Sequence, residues 1–146
     1  MFRQDVSDIR NFHLENNSAT WGETACVISC VLDLIEQLRC VYYSPYEVRD
    51  ISKRLYQEEA IDKDFYVTWL RTFRHFRLDI DISFEDKDYI CKENEYEILE
   101  LKRPGHTHFV RGDGSGHYTW DSLGIRPQQK EYKINSKRII RILGGF

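Results

Sequence analysis

Apolar residues along the chain follow two different periods, and the period changes near residue 77. From Thr24 to Arg39, Val27, Val31, Leu34 and Leu38 repeat at intervals of four, three and four. Ile28, Leu32 and Ile35 widen that stripe, so the spacing predicts a helix whose N-terminal half is buried. Thr24 is its expected cap, with Gly22 and Glu23 beside it. A second helix is expected to start after Ser44. Ser44 is the N-cap, Pro45 the first helical residue and Glu47 the partner that closes a capping box. Val48, Ile51 and Leu55 form its apolar face. A third helix is expected in Asp64–Phe76, where Trp69 and Phe73 share a face near Tyr66 and Phe76. Val6, Ile9 and Phe12 recur every three residues and suggest a short helix, ended by Asn16, Asn17 and Ser18.

After residue 77 the period is two. Leu78, Ile80, Ile82 and Phe84 alternate with Asp79, Asp81 and Ser83, as in a half-buried strand. "DYICK", "YEILELK", "HFVR", "HYTWDS" and "KRIIRIL" are further strand expectations. Helices first, over about residues 1–76, and an antiparallel sheet after, over about 77–146, predict an α+β fold: N-terminal helices packed on a C-terminal sheet. At 146 residues, without repeats or linkers, the chain reads as a single domain spanning 1–146. The tail "RIIRILGGF" is either an inner strand or an edge, and Gly144-Gly145 is expected to be a flexible terminus.

Composition narrows the function classes. Hydrophobic residues make up 41% and aromatics 14%, which is globular rather than disordered. The net charge of -3 is spread along the chain with no basic stripe, against nucleic-acid binding. No apolar run approaches a membrane span. The start, "MFRQDVSDIR", has no apolar core of a signal peptide, which points to the cytoplasm. Cys26, Cys30, Cys40 and Cys91 contain no CxxC pair and are expected to be free thiols. No cofactor is implied.

The candidate chemistry lies in "GHTHFVRGDGSGHYTWDSLG", which holds three of the five histidines. "GDGSG" is a hairpin turn whose glycines supply positive φ. His106 and His108 point to one face of a strand. With a turn over residues 112–117, Arg111 faces Tyr118 and His108 faces Asp121, close enough for a carboxylate to orient the imidazole. A slip of one residue sends Asp121 to the opposite face. An imidazole and a carboxylate lack only a nucleophile to make a triad. Cys26 is the best candidate, because the first turn of a helix favours a thiolate. Cys30, one turn deeper, reads as structural, as do Cys40 and Cys91. Backbone N–H groups there, with a side chain near Asn17 or Thr20, are the expected oxyanion donors. Trp21 and Trp120 are expected near the cleft, and ordinary core is the simpler role for both.

The order Cys26, His108, Asp121 resembles the papain-like cysteine peptidase fold, nearest to the compact double-glycine (bacteriocin-processing) peptidases and related bacterial domains. The family's nucleophile precedes an apolar helix, and "ACVISCVLDLI" puts Cys26 at that position. Its histidine opens a strand in a Gly-x-His-[Phe/Tyr]-Val pattern, where "GHTHFVRGDG" places His108. Its third residue stands in a short Asp-[Pro/Ser]-x-x-Gly segment, where "WDSLG" supplies Asp121. Ala25 replaces the family's Gly before the nucleophile, and Thr20 stands where papain-like enzymes carry a Gln. The resemblance implies a cysteine peptidase or amidase whose partner is a peptide or protein substrate. Two other readings stay open. A non-catalytic module on the same fold would bind peptide or protein in the groove. A zinc site would draw on His106, His108 and His117, or on Cys26.

Overall fold

The computed structural model describes residues 1–124 and 131–145. The strongly apolar helix forms, but it starts differently from the expectation. A single turn, α1 (Trp21–Thr24), leads through Ala25 at φ -83° and ψ 16° into α2 (Cys26–Arg39). Ala25 is therefore the residue at the N-cap of α2. Thr24 does not cap it, because its hydroxyl donates to the Asp64 carbonyl at 2.8 Å. In α3 (Pro45–Gln57) the capping box forms as expected: Ser44 Oγ accepts the Glu47 N–H at 3.2 Å, and the Ser44 N–H donates to Glu47 Oε1 at 3.1 Å. The third expected helix shortens to α4 (Trp69–His75).

Residues 6–12 form turns rather than a helix. The carbonyls of Arg10 and Phe12 accept the N–H groups of Gly22 and Trp21, at 2.9 and 2.7 Å. Those long-range bonds satisfy the backbone, while Ile9 and Phe12 still bury their side chains in the core.

The five strands are β1 (Leu78–Glu85), β2 (Glu95–Arg103), β3 (His106–Gly112), β4 (Tyr118–Trp120) and β5 (Lys133–Gly145). They form one antiparallel sheet in the order β1-β5-β2-β3-β4. The fold is α+β. The C-terminal strand is an inner one. Gly145 pairs with Leu78 and Gly144 with Asp79, so the glycine pair extends the ladder instead of fraying. Phe146 lies outside the described residues. "DYICK" is not a strand: the Cys91 N–H donates to the Gly114 carbonyl at 2.9 Å, and the Tyr89 carbonyl accepts Lys137 Nζ at 2.7 Å.

The main core lies between helices and sheet. Trp21, Ile28, Leu32, Ile35, Phe65 and Ile140 belong to it, and all are fully buried. A second cluster of Leu99, Leu101 and Val110 is covered by Tyr118, Tyr132 and Ile134. Beside it, Glu97 and Lys137 form a wholly buried ion pair at 2.8 Å. The second Glu97 oxygen accepts the Gly116 N–H at 2.9 Å, which ties the hairpin tip to the sheet. Gly112 is required there: a Cβ on it would stand 2.2 Å from Glu97 Oε2. Among the described residues, no helix is long and apolar enough to cross a membrane.

Candidate functional site

The hairpin has a different register from the one expected. Gly112 pairs with Tyr118 and Arg111 with Trp120, with a bulge between the two pairs. The first pair is displaced by one residue from the expected register, and the bulge displaces the next pair by a second. Two single-residue offsets preserve which face each side chain occupies, because the side-chain period of a strand is two. Asp121 therefore stays on the face of His108 although it does not sit directly opposite. It lies just past the end of β4 and meets the imidazole diagonally. His108 Nε2 and Asp121 Oδ1 are 2.7 Å apart, and both residues are buried.

Asp121 is held as well as holding. Its Oδ1 also accepts the Leu123 N–H at 2.9 Å, and its carbonyl accepts the Gly124 N–H at 2.9 Å. This is an Asx turn, closed by Gly124 at φ 79°. Asp121 Oδ2 is buried without a hydrogen-bond partner among the described residues. Directly across from His108 on β2 stands Leu101. The Tyr132 ring lies against the imidazole with centroids 6.2 Å apart, and Arg103 covers the tyrosine at 4.9 Å from its centroid.

Cys26 acts on the same imidazole. Burial disfavours a charged His108, but the hydrogen bond to Asp121 and the influence of Asp121 and the nearby Cys26 outweigh it. The histidine is pushed up from 6.5 to about 9. With Nε2 engaged by Asp121, Nδ1 is the nitrogen left to serve the thiol. A nucleophile-capable sulfur, an imidazole and a carboxylate thus come together from the start of α2, from β3 and from the turn after β4.

The family described as protein of unknown function, DUF261, matches residues 11–142. The chain belongs to the DUF261 family. No curated protein and no solved structure matches it. The DUF261 span contains Cys26, His108 and Asp121 and leaves out the first ten residues.

Other side chains of this DUF261 protein fix the approach to Cys26. Asp64 Oδ1 accepts the Ala19 N–H at 2.9 Å, and the Asp64 carbonyl holds Thr24. The loop that presents Asp64 is strained. Phe65 has φ 66°, a region that costs a bulky residue about 1–3 kcal/mol. Asp62 Oδ1 offsets this by accepting the N–H groups of Asp64 and Tyr66, at 2.8 and 3.1 Å. Burial of the Phe65 ring against Trp21 and Phe12, at centroid distances of 5.4 and 5.9 Å, adds to the compensation. On the other side of α2, the buried Arg111 donates to Asp33 Oδ2 at 3.0 Å and to Gln37 Oε1 at 2.9 Å. That clamp locks the helix of Cys26 to the strand of His108.

Of the two oxyanion side chains expected, Thr20 is engaged within its own turn and Asn17 is exposed. Thr20 donates its hydroxyl to Glu23 Oε1 at 2.8 Å, and its N–H goes to the same oxygen at 3.0 Å. Asn17 stands on an exposed turn at φ 64°. Cys30 is fully buried and donates to the Phe109 carbonyl at 3.5 Å. Burial first, and the neighbouring Cys26 second, push its thiol well above the ordinary range. Trp21 is core, and Trp120 packs on the same core.

His106 is exposed. His117 is also exposed, with Nδ1 at 3.2 Å from Asp113 Oδ2. Among the described residues, no three His, Cys, Asp or Glu side chains group as a metal site. Gly114 and Gly116 have φ of 99° and 93°, as the turn demands. The Asp113 carboxylate accepts the N–H groups of Ser115 at 2.8 Å and His117 at 3.2 Å, and Glu97 accepts that of Gly116. The hairpin tip is a turn. Arg111, Tyr132 and Gln4 carry no periodic or motif signal that singles them out in the sequence.

Proposed function

We propose that this DUF261 protein is a cysteine-dependent hydrolase, a peptidase or amidase of papain-like architecture, with Cys26 as nucleophile, His108 as general acid and base, and Asp121 as its orienting carboxylate. One observation carries the reading: a buried imidazole engaged by a carboxylate at 2.7 Å and acted on by a thiol that opens a helix of fourteen residues.

His108 stays cationic at neutral pH beside Cys26 and carries the proton that the reaction needs. The sulfur attacks the carbonyl carbon of the scissile amide, and the carbonyl π pair moves to oxygen. Backbone N–H groups at the start of α2 face that charge. His108 gives its proton to the departing amine as the C–N bond breaks, which leaves a thioester. The neutral imidazole then takes a proton from water, the hydroxide attacks the thioester, the C–S bond breaks to return the thiolate, and the product acid leaves and gives its proton to solvent. Asp121 keeps Nε2 protonated throughout and leaves Nδ1 to exchange protons with sulfur and substrate. The buried thiol of Cys30 takes no part.

The test is acylation by p-nitrophenyl acetate, followed by mass spectrometry. The expected product is one acetyl group per chain, on Cys26, formed with a burst of nitrophenolate. Cys26→Ala removes the burst, and His108→Ala slows it by about 100-fold or more. Acetyl groups spread over all four cysteines, or a burst indifferent to His108, would return the fold to a peptide-binding module without chemistry.

A further inference from the structure

Residues 1–10 lie outside the span matched by the family, yet Gln4 is buried at the join between the two halves of the site. Its backbone N–H donates to the Ser122 carbonyl at 2.7 Å, and its side-chain Oε1 accepts the Ser122 hydroxyl. Its Nε2 donates to the carbonyls of Gly22 at 3.0 Å and Trp21 at 3.3 Å. Ser122 follows Asp121 directly, and Gly22 lies four residues ahead of Cys26. The side-chain oxygen and nitrogen of Gln4 thus serve opposite sides of the same site.

The geometry points to Gln4 as a positioning residue: its amide joins the turn that carries Asp121 to the segment that leads into the Cys26 helix. The inference rests on the reading of Cys26, His108 and Asp121 as the reacting unit, and it adds a member that touches none of the reacting atoms. Gln4 is not an oxyanion donor, because both N–H bonds of Nε2 are spent on main-chain carbonyls.

Two features make the join specific. Ser122 is fully buried, so solvent does not replace its bonds to Gln4. Gly22 has no room to adjust either: a Cβ there would stand 2.9 Å from the Arg10 carbonyl. Gln4 thus ties the Asp121 turn to the helix side of the molecule, and a small displacement of the turn moves the carboxylate away from His108.

The experiment measures His108 directly, without substrate. The imidazole pKa is followed by two-dimensional ¹H–¹⁵N NMR in the full chain, and Cys26 alkylation by iodoacetamide is followed over pH in the same samples. Gln4→Met keeps the volume and removes both side-chain links. Ser122→Ala removes the hydroxyl link alone. Ser52→Ala, which removes a buried bond from Ser52 Oγ to the Val48 carbonyl at 2.7 Å within α3, is the control for lost stability.

In the intact protein His108 is expected to titrate near 9. Gln4→Met is expected to lower that value by at least about one unit and to slow Cys26 alkylation roughly 10-fold. Ser122→Ala moves both in the same direction by less, and Ser52→Ala moves neither. Unchanged His108 titration in a folded Gln4→Met, or in Ser122→Ala should the first variant not fold, overturns the inference. Loss of the elevated titration in the intact protein, together with an unreactive Cys26, strikes the proposed function instead.

Discussion

Replacing Asp121 by asparagine changes the site by one charge and almost no volume. In the intact chain the His108 proton is held up to about pH 9, against 6.5 for a free histidine. That difference of 2.5 units is about 300-fold in proton affinity, or about 3 kcal/mol. The sign follows from linkage. A histidine whose affinity is raised by folding contributes stability that is fully present below pH 6.5 and is lost as pH rises through about 9. Burial alone acts in the opposite sense and lowers the histidine, so an uncharged amide in place of the carboxylate leaves it with less reason to hold the proton. The assay is urea unfolding of both proteins at half-unit steps from pH 6 to pH 9.5. The difference in unfolding free energy should shrink by about 2–3 kcal/mol across that window, since other titrating groups cancel between the two proteins. In melting temperature this is several degrees for a domain of this size. Parallel curves over the whole range would refute the argument, because they would mean that the carboxylate does not sustain the imidazolium.

Two further substitutions test the frame around the site. Lys137→Met strands the Glu97 carboxylate in a fully buried place and is expected to cost about 3–5 kcal/mol in urea unfolding, while Lys137→Met with Glu97→Leu recovers a large part of that. Ser44→Ala removes the acceptor for the Glu47 N–H and should lower stability by about 0.5–2 kcal/mol without altering Cys26 alkylation.

What could be read from the sequence was local. The Ser44-Pro45-Glu47 signature carried its own hydrogen bonds, and α3 starts where it predicts. The period of Val27, Val31 and Leu34 revealed α2, because a buried helix must repeat on its own surface whatever it packs against. Alternation from Leu78 to Phe84 revealed β1 for the same reason. The failures are tertiary. Residues 6–12 carry a helical spacing, but their carbonyls bond to Trp21 and Gly22 and the helix never forms. "DYICK" has strand composition, yet its backbone is satisfied by Gly114 and Lys137. The hairpin register depended on a bulge between Arg111 and Gly112 that no residue type announces. The meeting of His108 and Asp121 survived that error because the shift was even. Gln4 stands in a polar stretch with no periodicity, and only the folded chain shows that it links Ser122 to Gly22.

The most direct test of the central claim is a race among the four thiols. The protein is exposed briefly to a limiting amount of iodoacetamide at neutral pH, quenched, digested and read by mass spectrometry. Exposure alone ranks them clearly: Cys40 is exposed, Cys26 and Cys91 are partly covered, and Cys30 is buried. Burial pushes Cys91 to about 11, which makes it slow as well. If Cys26 is the activated nucleophile, it takes the label well before the more exposed Cys40, and His108→Ala reverses that order. If Cys40 leads in the intact protein and Cys26 follows its partial burial, the thiol is not activated and the hydrolase reading fails.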